Sequence, residues 1–190
     1  MARRSSRFAV KVLACLIFYG HFTPTLADDE TRRAEIAAKG RNLFKNTKDH
    51  CRSFYELVSF ATTKVDGPGQ LVEDLKFVLI GEDLRRRGTG KHYIGNTAGA
   101  RGDSGFKPEL RDQSPQVEHA WAAVYLGAKY PPGSTEVAAL LTEVMGPLVD
   151  GGKLNPQDVL LWSLGGDLGQ RLSRFNYKEA PGVIKRTMCA

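Results

Sequence analysis

The segment from Pro115 to Tyr130 is apolar on almost every side once it has passed His119. The residues that make it so are Ala120, Trp121, Ala122, Ala123, Val124, Tyr125, Leu126, Gly127 and Ala128. A helix that is hydrophobic on every face is normally buried on every face. We therefore predict that this segment is the central helix of the fold. Ser114 followed by Pro115 is typical of an N-cap and a first helical position.

Helical spacing of apolar residues recurs along the rest of the chain. The predicted helices are residues 29–46, residues 51–64, a segment from Leu71 to a stop at Gly81, a segment that opens at Ser134, and a segment that opens at Asn155 and Pro156. No segment alternates between polar and apolar residues as a half-buried strand does. The predicted fold class is all-α, an irregular or orthogonal helical bundle around a central buried helix.

The last of these helices contains three closely spaced glycines, Gly165, Gly166 and Gly169. Glycine costs a helix up to about 1 kcal/mol relative to alanine, so their presence needs a reason. We expect either a close contact with another helix or a break that exposes backbone and contains Asp167. The simpler alternative is a kinked helix with Asp167 on the surface. Asp158, in the first turn, is expected to take part in a capping-box-like exchange.

The first 27 residues have the pattern of a secretory signal peptide. Three arginines precede an apolar run from Phe8 to Gly20, and small residues stand before Asp28, where cleavage is expected. The apolar run is shorter than the roughly 20 residues that a membrane-spanning helix needs, and no later segment qualifies. We predict a cleaved signal peptide at residues 1–27, a single helical domain at residues 28–190, and a secreted or periplasmic location.

Charge gives little information about partners. The whole chain carries a formal net charge of +6, but four of its cations lie in residues 1–27, which contain no acid, so +2 remains on residues 28–190. A mildly basic surface gives no strong signal for nucleic acid or an anionic membrane. The positive charge that remains is local, at Arg85, Arg86 and Arg87 among others. The expected partner is a substrate, or a component of the cell envelope or of a host.

Two cysteines, Cys51 and Cys189, remain once the signal peptide is removed. An even number of cysteines in an exported protein predicts a disulfide, because that compartment is oxidising. The competing interpretation is a catalytic Cys51 thiolate beside His50. Neighbouring residues of a helix point about 100° apart, so this pair is poorly placed to act together. We therefore predict that the two cysteines are bonded to each other.

A long glycine-rich loop is predicted at residues 88–113. It contains six glycines and little helical periodicity. Loops of this length in a compact domain are usually functional or disordered. Because Tyr93, Ile94, Phe106 and Leu110 are spaced through the loop, we expect it to lie on the core as an ordered lid or cleft wall.

The candidate site lies where this loop meets the start of the central helix. His119 is the expected general acid or base, because imidazole titrates near neutral pH and carboxylates are close in sequence. Asp112 or Asp103 would orient the imidazole, and Glu118 stands beside it. Free N–H groups at the helix start could hold an anionic group or a developing oxyanion. The expected substrate-binding residues are Arg111, Lys91 and His92.

A metal site has suitable residue types here but unsuitable spacing. His119 with Asp103 or Asp112 could bind zinc or calcium, yet the sequence has no His-x-x-x-His pair and no acidic calcium loop. We predict neither a metal nor a cofactor.

Two functions of different classes remain open. The first is an exported hydrolase that uses His119 and neighbouring carboxylates in a cleft under the loop. The second is a non-catalytic exported binding or assembly protein in which His119 is structural. The first predicts that His119 faces a cleft reached by solvent, with a carboxylate within hydrogen-bond distance. The second allows His119 to be sealed in the core.

Overall fold

A computed structural model describes residues 26–82, 89–97, 100, 102–112, 115–131, 155–172 and 176–190. The α-helices in this part of the chain are α1 (Leu26–Asn46), α2 (His50–Thr62), α3 (Pro68–Leu79), α4 (Gln116–Lys129), α5 (Pro156–Leu172) and α6 (Ala180–Thr187). Two short 3-10 turns lie at Pro108–Leu110 and Tyr177–Glu179. The residues described contain no β-strand, only an isolated antiparallel bridge between Phe106 and Cys189. The prediction of an all-α fold is confirmed.

Several predicted features lie outside the described residues. They are residues 1–25 of the predicted signal peptide, the basic run from Arg85 to Arg87, Ser114 and the helix expected to open at Ser134. Backbone contacts group the chain into Met1–Glu30 and Thr31–Ala190, and every contact discussed below lies within the second unit. Among the helices that are described, none is long and apolar enough to cross a membrane.

Helices α1 to α5 begin and end within a few residues of their predicted bounds. Helix α4 begins at Gln116, directly after Pro115, and buries most of its residues, as its apolar sequence requires. Helix α6 was not predicted. It is eight residues long, and Pro181 and Gly182 stand in its first turn, so its apolar spacing is too short to recognise.

Helices α4 and α5 are in contact along their backbones. A Cβ atom added at Gly165 would lie 2.6 Å from the Cβ of Ala123, and one added at Gly169 would overlap the carbonyl oxygen of Val124. On α4, a Cβ atom added at Gly127 would overlap the carbonyl oxygen of Gly166 in α5. The glycines therefore serve close helix contact. The alternative of a break is wrong, because α5 is continuous through all three.

The two helices run parallel. Ala123 contacts Gly165, and four residues further along α4, Gly127 contacts Gly166 and Gly169. Near the other end of the pair, His119 of α4 contacts Asp158 of α5. The N-terminal ends of both helices therefore lie side by side, and so do the positive ends of their dipoles.

A buried ion pair joins α1 to α3. The carboxylate of Asp74 is 1% exposed and accepts from Arg32 Nε at 2.5 Å and from Arg33 Nε at 2.8 Å. The Arg33 guanidinium also lies 3.9 Å from the centre of the Phe77 ring. Two cations on one carboxylate satisfy both of its oxygens, which a buried charge requires.

Aromatic side chains link α2, α4 and the long loop. The Phe54 ring stacks against Phe106 with centroids 6.5 Å apart and meets Trp121 edge-on at 6.1 Å. Phe106, Ile94 and Leu110 of the loop are fully buried. The Ile94 N–H also donates to the carbonyl of Val78 at 3.0 Å. The described part of the loop is thus packed on the core.

The predicted disulfide between Cys51 and Cys189 is present and closes a loop of 138 residues. Backbone hydrogen bonds fix the same end of the chain, from Lys107 N to Met188 O at 2.9 Å and from Ala190 N to Gly105 O at 2.8 Å. Gly105 has a φ of +76°, and a Cβ atom there would overlap the Asp49 carboxylate. Only glycine fits this turn without strain.

We expect Gly169→Ala to destabilise the protein by about 1–3 kcal/mol, because the added methyl group forces α4 and α5 apart. Urea unfolding measures the change. Gly69→Ala is the matched control, since nothing lies within 4 Å of a Cβ atom at that helical position. Stability should be unchanged or raised by up to about 1 kcal/mol there. Equal effects of the two substitutions would contradict the role of the close helix contact.

Replacing both cysteines by alanine should lower the free energy of unfolding by at most about 5 kcal/mol, the chain-entropy value for a loop of this length. Urea unfolding of the double variant Cys51→Ala, Cys189→Ala is compared with that of the wild type, with and without reductant. Reductant should weaken the wild type and leave the variant unaffected. A wild type indifferent to complete reduction would show that the bond does not stabilise the fold.

Candidate functional site

The N-terminal ends of α4 and α5 bring together the polar side chains of the candidate site. On α4, the first turn carries Glu118 and His119, and on α5 it carries Asp158. Acidic residues in the first turn stabilise a helix because they offset the positive end of its dipole. Here two such ends lie side by side, so carboxylates are favoured at this place for structural reasons as well as chemical ones.

His119 and Asp158 form the central pair. His119 Nδ1 lies 3.1 Å from Asp158 Oδ1, and the side chains are 15% and 6% exposed. An ionised carboxylate can only accept a hydrogen bond, so a neutral imidazole that donates to it from Nδ1 has a lone pair on Nε2. We expected Asp112 or Asp103 beside the imidazole, and the structure places Asp158 there instead. The capping-box role expected for Asp158 is correspondingly replaced by this contact.

Asp112 instead ties the loop to both helix starts. Its carboxylate accepts hydrogen bonds from Gln116 Nε2 of α4 and from Asn155 Nδ2, which precedes α5. Gln116 Nε2 also donates to the carbonyl of Leu110 at 2.6 Å. Asn155 Oδ1 in turn accepts from the N–H of Gln157 at 3.1 Å, so Asn155 is the residue that caps the start of α5. Asp112 therefore holds in place the elements that present His119 and Asp158.

Glu118 is buried and lies beside His119 on α4. The hydroxyl of Tyr93 donates to Glu118 Oε2 at 3.3 Å, which connects the loop to the first turn of the helix. Neighbouring helical residues point in different directions, so Glu118 and His119 face different partners. The expected placement of both residues at the entry of the loop into the core agrees with this geometry.

The remaining predicted residues are spread along the loop. Arg111 donates from Nε to the carbonyl of Phe106 at 2.6 Å and so braces the loop. Lys91 is exposed and His92 is buried. Asp103 lies close enough to His50 to act on its charge. The structure therefore gathers His119, Glu118 and Asp112 at the start of α4, and places Asp103 with a different histidine.

Asp158 was not recognised as a site residue from the sequence. It stands 39 residues after His119, and the contact depends on the parallel packing of α4 and α5. The glycines of α5 were the sequence signal that pointed toward this contact. They predicted a close contact with another helix but did not indicate which helix it would be. In the described part of the chain, no group of three or more histidine, cysteine, aspartate or glutamate side chains could hold a metal ion.

Comparison with known proteins adds no assignment. No protein-family model, curated protein or solved structure matches this chain.

His50 shows how the loop packs against α2. Gly102 lies against its imidazole so closely that a Cβ atom at that position would overlap the ring. His50 Nδ1 is buried and has no hydrogen-bond partner among the described residues. Burial lowers the pKa of His50 below its ordinary value of 6.5, and the nearby carboxylates of Asp103 and Asp49 oppose this effect. The proton therefore binds more readily to the unfolded chain.

A histidine whose pKa is lowered by folding makes stability fall as pH decreases below its unfolded pKa of 6.5. We therefore expect His50→Gln to lose less thermal stability than the wild type between about pH 7.5 and pH 5. Melting temperatures of both proteins at the two pH values measure this. The other histidines are common to both proteins, so their contribution cancels in the comparison. An identical pH dependence would show that burial of His50 has no influence on stability.

Proposed function

We propose that the protein is an exported hydrolase in which His119 acts as general base toward a water molecule and Asp158 orients the imidazole. The observation that carries this proposal is the 3.1 Å contact between His119 Nδ1 and the buried carboxylate of Asp158. A carboxylate on Nδ1 fixes the tautomer whose Nε2 can accept a proton, and it stabilises the imidazolium formed when the proton arrives.

The reaction would proceed by attack of water on the substrate. His119 Nε2 takes a proton from the water as its oxygen forms a bond to the substrate, and the imidazolium later returns that proton to the leaving group. The proton taken from the water is the one that the leaving group receives, so this step uses neither a metal nor a covalent intermediate on the protein. General-base catalysis of this kind contributes typically about 10²–10⁴-fold to the rate.

Other residues of the site take supporting roles in this proposal. Asp112 is a positioning residue, because it fixes the two helix starts from which His119 and Asp158 project. Arg111 and Lys91 are both exposed on the loop and remain our candidates for binding an anionic part of the substrate. His92 remains a candidate substrate-binding residue, and Asp103 has a place beside His50 rather than a role at His119.

Export is part of the proposal. It rests on the signal-peptide pattern of residues 1–27 and on the Cys51–Cys189 disulfide, which is compatible with an oxidising compartment. Substrates that such an enzyme would meet are polymers of a cell envelope or of a host surface.

A non-catalytic binding or assembly protein is the second candidate. The observation in its favour is that 85% of the His119 side chain is covered, since 15% is exposed. In that case the His119–Asp158 contact joins α4 to α5 and its loss mainly affects stability. Breaking a buried polar pair by removing one partner typically costs several kcal/mol, so the two functions differ in what a substitution changes.

We expect His119→Gln and Asp158→Asn each to lower hydrolysis by about 10²–10⁴-fold. The amide introduced by Asp158→Asn would donate to Nδ1 of His119 and so favour a proton on Nε2, which removes the base while keeping the shape. The probes are p-nitrophenyl acetate for ester hydrolysis and bis(p-nitrophenyl) phosphate for phosphodiester hydrolysis. His50→Gln is the matched control, because it removes a half-buried histidine whose Nδ1 has no hydrogen-bond partner among the described residues, and it should retain the wild-type rate.

Two results would overturn the proposal. One is a wild-type rate that survives His119→Gln or falls equally in His50→Gln. The other comes from ¹⁵N NMR of the imidazole, which needs no substrate: a proton on Nε2 of neutral His119 would leave no base. A variant that loses several degrees of melting temperature and no activity supports the binding protein instead.

A further inference from the structure

A groove of about 230 Å³ lies where the end of α5 meets the second 3-10 turn and α6. Its lining residues on α5 and α6 are Leu168, Arg171, Leu172, Ala180, Val183 and Arg186, and Asn176 and Glu179 complete it. Leu168 stands ten residues after Asp158, which is about 15 Å along the helix. The groove is therefore separate from the His119 site.

The floor of the groove is apolar. Leu168 and Leu172 are each 3% exposed, and Ala180 is 1% exposed. Val183 of α6 is partly buried and packs against the same core. An aliphatic chain laid on these side chains would be removed from water on one side, which favours binding in proportion to the apolar area covered.

The rim of the groove is richer in cations than in anions. Among the residues that line the groove, the cations are Arg171 and Arg186, and the single carboxylate is that of Glu179. Arg171 is paired with Asp167 at 3.2 Å, but both side chains are about 60% exposed, at 60% and 64%. An ion pair this exposed contributes little and is easily exchanged for another anion.

Arg186 is directed along the first turn of α6. A Cβ atom at Gly182 would lie 3.2 Å from Arg186 Nη1, so the guanidinium lies back over a position that has no side chain. No carboxylate pairs with Arg186 among the residues the structure describes. A third polar group is the Asn176 amide, whose Oδ1 accepts from Lys178 N at 3.1 Å and whose Nδ2 donates to no group among the described residues.

We propose that this groove binds a short aliphatic monocarboxylate, with its chain on the leucine floor and its carboxylate on Arg186 and Arg171. Guanidinium groups bind carboxylates through paired hydrogen bonds, so the groove should prefer an anionic ligand to a cationic one. The volume lies below the roughly 300 Å³ at which pockets for larger ligands begin, so the ligand is small. A straight-chain acid of the size of hexanoate matches these features.

The test is titration of ¹⁵N-labelled full-length protein with hexanoate, followed by amide chemical shifts. We expect saturable shifts at groove residues with a Kd on the order of 1 mM, as suits so small a ligand. Hexylamine and hexanol, which share the chain and lack the carboxylate, should bind at least fivefold more weakly. Equal binding of hexylamine, or no saturation by hexanoate, overturns the proposal.

Substitutions of single cations test where the carboxylate of hexanoate binds. Arg186→Gln should weaken hexanoate binding about five- to tenfold, and the exposed position should leave the fold intact. Lys178→Gln is the matched control, because Lys178 is an exposed cation next to the groove that does not line it. An equal loss in both variants would indicate attraction by overall charge and would refute a site at Arg186.

A peptide C-terminus also ends in a carboxylate, so it is the alternative occupant of the groove. N-acetyl-leucine is the probe for a peptide end. If N-acetyl-leucine binds tenfold more tightly than hexanoate, the occupant is a peptide end and the aliphatic acid is refuted. If hexanoate binds at least as well, the aliphatic acid is supported. Hydrolysis by the His119 site plays no part in these measurements, so either proposal can fail alone.

Discussion

The close approach of α4 and α5 is the contact on which the rest of this structure depends. Gly165 and Gly169 on one helix and Gly127 on the other let backbone touch backbone. Small residues allow this distance, and any side chain would force the axes apart. Because the helices are parallel, the contact also fixes their N-terminal ends against each other. The position of Asp158 opposite His119 follows from that register.

Two parallel helix starts place two positive dipole ends close together, and acidic side chains of the site offset this charge. Each start has unsatisfied N–H groups and a positive dipole end. Asp112, Glu118 and Asp158 supply three carboxylates there, and Asn155 supplies a cap. Of these carboxylates, Asp158 contacts the imidazole of His119, while Asp112 and Glu118 bind neighbouring side chains. In the proposed function, the same side chains serve both the fold and the reaction, so substitutions there must be examined for both stability and activity.

Much of this fold could be predicted from the sequence, because local patterns carry it. Apolar spacing gave α1 to α5, the apolar surface of residues 120–128 indicated a buried helix, and two cysteines indicated the disulfide. The partner of His119 could not be predicted, since a pair 39 residues apart depends on how two helices pack. Likewise, α6 is too short for its periodicity to be recognised, and the groove formed with α5 exists only once both helices are placed.

The disulfide also determines how the molecule would carry a mechanical load. The segment between Cys51 and Cys189 contains the whole of α3, α4, α5 and α6, and all of α2 except His50. Tension applied from α1 to Ala190 passes through the sulfur–sulfur bond and bypasses everything inside that covalent ring. Under oxidising conditions only α1 and its junction with α2 can be extended. The helices that carry His119, Asp158 and the groove are shielded from stretching, and reduction of one bond would expose them all at once.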